Sequence, residues 1–161
     1  MSSSRAFLLR QLLTTFYRPA GHRLGILVPG DCPGGDAAIV ADVLTAHGHS
    51  PERRLARLRP RPGETGVPPA EVADFLRRYG HEYGAAWLPA VDPATGADAD
   101  VELVTAAARE AGCPIGWDLG VTGEDPEPWL RGWGVDFALW SVPGGDGARH
   151  YTREPYPRPG S

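Results

Sequence analysis

The sequence predicts an α/β fold built on a mostly parallel, doubly wound sheet. Three observations lead to this prediction. Short apolar runs of strand length alternate with longer segments whose apolar residues recur at helical spacing. One run, 24–28, is continuously apolar, as expected for a strand that is buried on both faces. Finally, 161 residues are enough for one domain with a substantial core.

The elements follow from local patterns of residues. The predicted strands are 24–28, 54–58, 83–88, 115–119 and 135–140, of which 54–58 alternates weakly and suits an edge. The predicted helices are one capped by Ser3 or Ser4 and ended by 19–21, one from Asp36 closed by Gly48, and segments 68–79, 99–111 and 127–131.

Composition divides the chain after residue 142. Residues 1–142 carry the alternation of strands and helices, and we take them as one domain. Residues 143–161 are rich in glycine, proline and arginine. This composition predicts an extended tail that is flexible unless a partner orders it.

Charge and cysteine content exclude several classes of protein. A net charge of −4 with 20 acidic residues argues against nucleic-acid binding. Residues 1–5 contain no long apolar stretch, so we expect neither a signal peptide nor a membrane span. Cys32 and Cys113 lack metal-ligand spacing and are expected to be reduced thiols in the cytoplasm.

Two segments carry a resemblance to a known family. Residues 112–119 read GCPIGWDL and residues 133–140 read WGVDFALW. Together they resemble the adjacent strands that hold pyridoxal phosphate in kynureninase, a class V aminotransferase-type enzyme of fold type I. The resemblance runs nearly without gaps from residue 6 to 140. Its other segments are 10–19, 23–28, 32–39, 58–64, 95–96 and 98–111.

The resemblance implies part of a large domain with an incomplete cofactor site. It makes Asp118 the partner of the pyridine nitrogen and places Gly144 where the family has the Schiff-base lysine. All 16 basic residues of the chain are arginine, which stays protonated and forms no aldimine. Ordinary internal-aldimine chemistry is therefore excluded for this chain alone, which is not a competent kynureninase by itself.

Other departures from the family fall where the cofactor would be contacted. The resemblance matches Pro143 to a tyrosine, Val121 to a histidine, Pro89 to a serine, Gly35 to an aspartate, and Arg5-Ala6 to a Leu-Thr pair that grips phosphate. Asp36 lies one residue from the matched aspartate position. Scaffold residues persist while contact residues are lost, which indicates a fold kept for another purpose.

Asp118 is the centre of the candidate site. The carboxyl end of a parallel strand is where open α/β sheets bind ligands, although a cap for the following loop would also explain this residue. We predict that the pocket also includes Asp36, Trp117 and Trp140. The two tryptophans are either core residues or the walls of an aromatic-ligand pocket. No catalytic residue is assigned, and no metal site is expected.

Three functions remain open. The first is a non-catalytic or repurposed kynureninase-like protein that binds a small molecule or a partner. The second is a pyridoxal-phosphate hydrolase of kynurenine catabolism that a partner chain completes. The third is a small cofactor-independent enzyme acting on an aromatic amino-acid derivative. No cofactor is expected for the chain alone, and pyridoxal phosphate is expected only if a partner completes the site.

Association is expected because a sheet of this kind exposes edges and apolar surface. We predict a homodimer or a complex with a fuller kynureninase-like chain. The aromatic residues available as interface anchors are Trp129, Trp133, Phe137 and Trp140, unless they fill the core of the monomer.

Overall fold

The computed structural model describes residues 4–92, 95–145 and 147–153 and contains a six-stranded sheet. The strands are β1 Gly25–Pro29, β2 Leu55–Leu58, β3 Tyr83–Pro89, β4 Ile115–Val121, β5 Phe137–Ser141 and β6 Arg149–Thr152. The helices are α1 Arg5–Phe16, α2 Gly34–Ala46, α3 Pro51–Arg54, α4 Pro69–Tyr79, α5 Val101–Ala111 and α6 Glu127–Trp133, with a 3-10 turn at Gly80–Glu82.

The sheet has the strand order β2-β1-β3-β4-β5-β6. The first five strands are parallel, and β6 runs antiparallel to β5. The predicted α/β fold with a mostly parallel sheet is therefore confirmed, and β2 lies at an edge as its weak pattern indicated. The carboxyl ends of β1, β3 and β4 lie side by side, so the segments that follow these strands meet there. We call this end of the strands the carboxyl edge of the sheet and the opposite end the amino edge.

Helices cover both faces of the sheet. Successive strand residues point to opposite faces, which sorts the core into two layers. Trp87 and Phe137 pack with α1 and α2 in one layer. Trp117 and Trp140 pack with α4 and α5 in the other.

Local chemistry explains where α1 and α2 begin and end. The Ser4 side chain accepts the Phe7 backbone N–H at 3.1 Å and caps α1, as predicted. Gly48 follows the end of α2 with a φ of +80°, a conformation that favours glycine.

The prediction of an extended tail is wrong for residues 149–152. These residues form β6, and Tyr151 lies opposite Ala138 with only 5% of its surface exposed. A four-residue strand is too short for its alternation to stand out in the sequence. The predicted tail beyond residue 153 lies outside the described residues, and the domain boundary after residue 142 stays a prediction.

Within the described ranges, every helix is too short or too polar to cross a membrane.

Candidate functional site at the carboxyl edge of the sheet

Arg5, Asp36 and Asp118 meet at the carboxyl edge of the sheet. Arg5 is the first residue of α1, Asp36 lies in the first turn of α2, and Asp118 lies in β4. Nη1 and Nη2 of Arg5 donate to the two carboxylate oxygens of Asp36 at 2.6 and 2.9 Å. Nη2 also donates to Asp118 Oδ2 at 2.7 Å. One guanidinium group thus joins two carboxylates from distant parts of the chain.

Trp87 fixes the Asp36 carboxylate from the side of β3. Its Nε1 donates to Asp36 Oδ2 at 3.1 Å, and its ring lies parallel to that of Phe137 with the centroids 5.9 Å apart. Trp87 is only 2% exposed, so this indole N–H needs a protein acceptor. Asp36 is therefore held in a single orientation by Trp87 and Arg5.

Asp118 is more accessible than Asp36. The Asp118 side chain is 28% exposed, compared with 7% for the Asp36 side chain. Asp118 Oδ1 accepts the backbone N–H of Gly120 at 2.9 Å. Gly120 has a φ of +68°, and the pairing of β4 with β5 shifts between Asp118 and Val121. This irregularity turns the chain back toward the carboxylate.

The pair of Arg5 and Asp36 is charged at neutral pH. Burial raises the pKa of Asp36, but hydrogen bonds from Arg5 and Trp87 and the positive charge of Arg5 outweigh it. The pKa of Asp36 therefore lies below its ordinary value. The hydrogen bond to Asp36 raises the pKa of Arg5 against the opposing effect of burial, and attraction to Asp118 raises it further.

The helix dipole has opposite effects on the charges at the starts of α2 and α1. Asp36 lies in the first turn of α2, where the positive end of the helix dipole favours a carboxylate. Arg5 lies at the same end of α1, where a cation is disfavoured and the first turn contains no acidic residue. The carboxylates of Asp36 and Asp118, rather than the helix, therefore hold the Arg5 guanidinium in place.

A cavity of about 230 Å³ opens beside the two carboxylates. Its wall is mostly apolar and includes Pro89, Val91 and Leu119 together with Cys32. Burial raises the pKa of Cys32 to about 11, and the negative charge of Asp36 contributes in the same direction. The Cys32 thiol is thus protonated at neutral pH, which makes it a poor nucleophile.

The structure brings Asp36 and Asp118 together but separates Trp117 and Trp140 from them. Trp117 lines a cavity of about 750 Å³ on the side of α4 and α5, where its Nε1 donates to Thr105 Oγ1 at 2.9 Å. Trp140 lines a third cavity of about 730 Å³. The reason is the alternation of a strand, because Trp117 and Asp118 are neighbours in β4 and must point to opposite faces.

Sequence reasoning missed the roles of Arg5 and Trp87. In the parallel register of β3 and β4, Pro89 lies opposite Asp118. Trp87 is two residues before Pro89 and so shares the face of Asp118. This signal becomes available only once the strand register is known. Arg5 was matched to a phosphate-gripping position, and nothing in the sequence pairs it with two distant acids.

These residues do not fit pyridoxal phosphate in this arrangement. Asp118, which the resemblance assigns to the pyridine nitrogen, holds the Arg5 guanidinium instead. Gly144, at the position of the Schiff-base lysine, lies in a turn after β5 with a φ of +67°, and the chain contains no lysine. Among the described residues, no three His, Cys, Asp or Glu side chains converge as metal ligands would.

Comparison with curated proteins identifies similar sequences. The chain is 36% identical over 132 residues to kynureninase from Salinispora tropica, a match that covers 82% of this chain and 31% of that protein. It is 31% identical to kynureninase from Nematostella vectensis over 82% of this chain and 28% of that protein. The chain therefore spans less than a third of the length of these curated relatives. No family model matches the sequence.

Comparison with solved structures identifies the same type of fold. A cysteine desulfurase from Thermococcus onnurineus superposes with a TM-score of 0.68 at 13% identity, covering 95% of this chain and 37% of that chain. The ureidoglycine–glyoxylate aminotransferase of Bacillus subtilis gives a TM-score of 0.62 at 17% identity, covering 95% and 38%. Such low identities establish the fold alone. In sequence the chain is similar to these kynureninases over 82% of its length, and it has the α/β fold of these two solved structures.

Proposed function

We propose that this chain is a non-catalytic kynureninase-like protein that binds a small molecule or a partner at its crevice. The observation that carries the proposal is the position of Arg5, whose guanidinium holds both Asp36 and Asp118 at 2.6 to 2.9 Å. A pyridine nitrogen at Asp118 would displace the Arg5 guanidinium but replace only one of its three charge-assisted hydrogen bonds to the two carboxylates.

The chemistry of the surrounding side chains supports the same proposal. An internal aldimine requires lysine, which the chain lacks. Cys32, which lines the cavity beside Asp118, is protonated at neutral pH because burial raises its pKa to about 11. The described crevice therefore offers carboxylates and an apolar wall for binding, without an activated nucleophile.

The test is a titration of the purified chain with pyridoxal phosphate. We expect no aldimine absorbance, no internal residue labelled after borohydride reduction, and no cleavage of kynurenine above background. The kynureninase of Salinispora tropica serves as the positive control, and an N-terminally acetylated sample removes imine formation at the α-amino group. A reducible adduct on one internal residue, or turnover of kynurenine, would contradict the proposal.

The second candidate is a kynurenine hydrolase that a partner chain completes with pyridoxal phosphate. It is favoured by the coverage, because the chain spans 28–31% of the two kynureninases compared above. The test mixes this chain with Salinispora tropica kynureninase from which the matching segment has been deleted. Recovery of kynurenine cleavage would favour this candidate, whereas the leading proposal expects none.

We also propose that the chain works as a homodimer or in a complex with a fuller kynureninase-like chain. Two of the four aromatic anchors suggested by the sequence are excluded, because Phe137 is fully buried in the monomer and Trp140 is 7% exposed. The support comes instead from Val91 and Val121, which are 53% and 68% exposed near the carboxyl edge. Light scattering over a dilution series should show a species larger than one chain, and a monomer at all concentrations without a co-purifying partner would contradict the proposal.

The proposed compartment is the cytoplasm. Its support is that both cysteines of the chain are free and buried, as is usual for proteins in a reducing environment.

A further inference from the structure

We propose that the crevice beside Asp36 and Asp118 binds an organic cation in which an amidinium or guanidinium group is attached to an apolar body, and that Arg5 is its built-in competitor. This inference rests on the proposed function, because it assigns a class of ligand to the same crevice. It does not rest on acidic residues alone, since the structure places a guanidinium on them.

The Arg5 guanidinium defines the chemistry that the two carboxylates recognise. Its two terminal nitrogens donate to both oxygens of Asp36, and one of them also reaches Asp118 Oδ2 at 2.7 Å. A planar fork of N–H donors fits this arrangement, whereas an ammonium group provides no such fork. Trp87 holds Asp36 in the receiving orientation through its own hydrogen bond, which does not involve Arg5.

The space around the carboxylates suits an apolar body. The cavity of about 230 Å³ beside Asp118 is bounded by Pro33, Val91 and Leu119. Three residues at the ends of β1 and β3 also line the neighbouring cavity of about 750 Å³; they are Pro29, Asp31 and Pro89. The two cavities therefore share part of their wall. The smaller one, which adjoins both carboxylates, is the space for the aromatic or aliphatic group of a ligand whose cationic end replaces the Arg5 guanidinium.

Arg5 is placed to leave the crevice. The Arg5 side chain is 37% exposed, and Arg5 is the first residue of α1. Its guanidinium can therefore move away without breaking the hydrogen bonds of the later turns of the helix. The helix dipole also disfavours a cation at this position. A tethered competitor of this kind acts at an effective concentration on the order of millimolar. A free ligand should therefore bind the wild-type chain weakly and bind much better once Arg5 is removed.

The test uses benzamidine, an aromatic amidinium, and benzamide, its neutral analogue of nearly the same shape. Binding is measured by calorimetry and by the shift of Tm with ligand concentration. We expect saturable binding of benzamidine to Arg5→Ala, at least tenfold weaker binding to the wild-type chain, and no saturable binding of benzamide to either. In the Arg5→Ala background, Asp118→Asn should weaken benzamidine binding at least tenfold.

Arg10→Ala is the matched control. Arg10 also lies in α1 and pairs with a carboxylate, that of Asp42, at 3.0 Å, but both side chains are about half exposed or more. This variant should bind benzamidine no better than the wild-type chain does. If Arg5→Ala does not fold, Arg5→Gln takes its place, because its neutral amide can still donate to Asp36.

Two outcomes would overturn the inference. One is the lack of saturable benzamidine binding to the folded Arg5 variant, and the other is binding that Asp118→Asn leaves unchanged. Both are independent of the cofactor titration, which tests the proposed function through aldimine formation in the wild-type chain.

Discussion

Asp36 and Asp136 are two buried aspartates at opposite edges of the sheet, and each pairs with an arginine near one end of the described chain. Asp36 lies at the carboxyl edge and holds Arg5. Asp136 directly precedes β5 at the amino edge. Its Oδ1 pairs with Nε of Arg153, and the two atoms are 2.5 Å apart. Each aspartate is 5% exposed. The same residue types, equally buried, thus form two ion pairs whose surroundings differ.

The amino-edge pair is integrated into the backbone of the sheet. Asp136 Oδ2 accepts the backbone N–H of Ile115, the first residue of β4, at 2.8 Å. The backbone N–H of Asp136 donates to the carbonyl of Ile115, and the backbone N–H of Arg153 donates to the carbonyl of Asp136. Asp136 therefore ties the start of β4 to the segments that flank β5 and β6, so its role is structural.

The carboxyl-edge pair depends on side chains. Within the described part of the chain, the Asp36 carboxylate accepts hydrogen bonds from the guanidinium of Arg5 and the indole of Trp87. A side chain can rotate away while the sheet stays intact, and a cavity adjoins this carboxylate. Burial and an ion pair therefore do not by themselves mark a binding site. Asp36 differs from Asp136 in that its carboxylate accepts from side chains and borders a cavity.

The largest effect is expected for Asp136→Ala. It leaves the backbone N–H of Ile115 buried without its acceptor and removes the partner of Arg153. Losing a buried acceptor of this kind costs about 1–3 kcal/mol, and the lost ion pair adds to it. We expect the free energy of unfolding in urea to fall by about 2–3 kcal/mol. A loss below about 0.5 kcal/mol would contradict the structural role given to this aspartate.

Asp42→Ala is the control for that measurement. Asp42 pairs with Arg10 at 3.0 Å, but its side chain is 61% exposed. Exposed ion pairs contribute about 0–1 kcal/mol. The urea midpoint should therefore change little for this variant.

A smaller effect is expected for Asp36→Ala. The buried indole N–H of Trp87 loses its acceptor, but Arg5 keeps Asp118 as a partner and is partly exposed to water. We expect a loss of about 1–2 kcal/mol in the free energy of unfolding. Unlike Asp136→Ala, this variant should also change the environment of the Trp87 indole in an NMR spectrum. A loss larger than that of Asp136→Ala would reverse the comparison of the two edges.

Much of the fold was predictable from the sequence. Five of the six described helices and the first five strands follow from periodicity and caps, and Ser4 and the run at 24–28 fall where the pattern placed them. The short helix α3 was not predicted. β6 was missed because its order depends on pairing with β5 rather than on its own four residues. Tertiary contacts decide such short strands.

The site was less predictable than the fold. Asp118 was found because strand ends bind ligands and because of its family match, and Asp36 because it neighbours a matched position. Arg5 lies 31 and 113 residues away from its two partners. Such pairing depends on how α1, α2 and β4 are placed in space, which no local pattern encodes. Trp117 was grouped with Asp118 because they are sequence neighbours, although neighbours in a strand face apart.

The pH dependence of stability should distinguish the two aspartates by sign. The pKa of Asp36 lies below its ordinary value, so its contribution is complete above the unfolded pKa near 3.9 and is lost as pH falls through the folded pKa. Burial raises the pKa of Asp136, although the Ile115 N–H and Arg153 oppose this change. Asp136 therefore favours the folded state more as pH falls from its raised pKa toward the unfolded value.

The measurement compares Asp36→Asn and Asp136→Asn with the wild-type chain between about pH 6 and pH 3. The stability lost in Asp36→Asn should shrink as the pH falls, whereas the stability lost in Asp136→Asn should grow. Both changes should be smaller than the losses from the alanine variants. Two differences with the same slope would show that the two carboxylates have similar surroundings, which would contradict the opposite pKa shifts of Asp36 and Asp136.

The smallest effect is expected for Gly144→Lys, which supplies the missing amine at the carboxyl edge. Gly144 has a φ of +67°, which disfavours a side chain, but an added Cβ would meet no atom within 4 Å. We expect a stability loss of about 1 kcal/mol.

The same variant should not bind the cofactor. Asp118 would still hold Arg5, so pyridoxal phosphate should form no aldimine beyond that of a surface lysine. Gly132→Lys provides that reference, because an added Cβ at Gly132 also meets no atom within 4 Å and its φ is not positive. Absorbance titration and borohydride reduction of both variants give the comparison. Tight cofactor binding by Gly144→Lys alone would mean that a pyridine nitrogen can displace Arg5 from Asp118 and that the carboxyl edge still holds a working cofactor site.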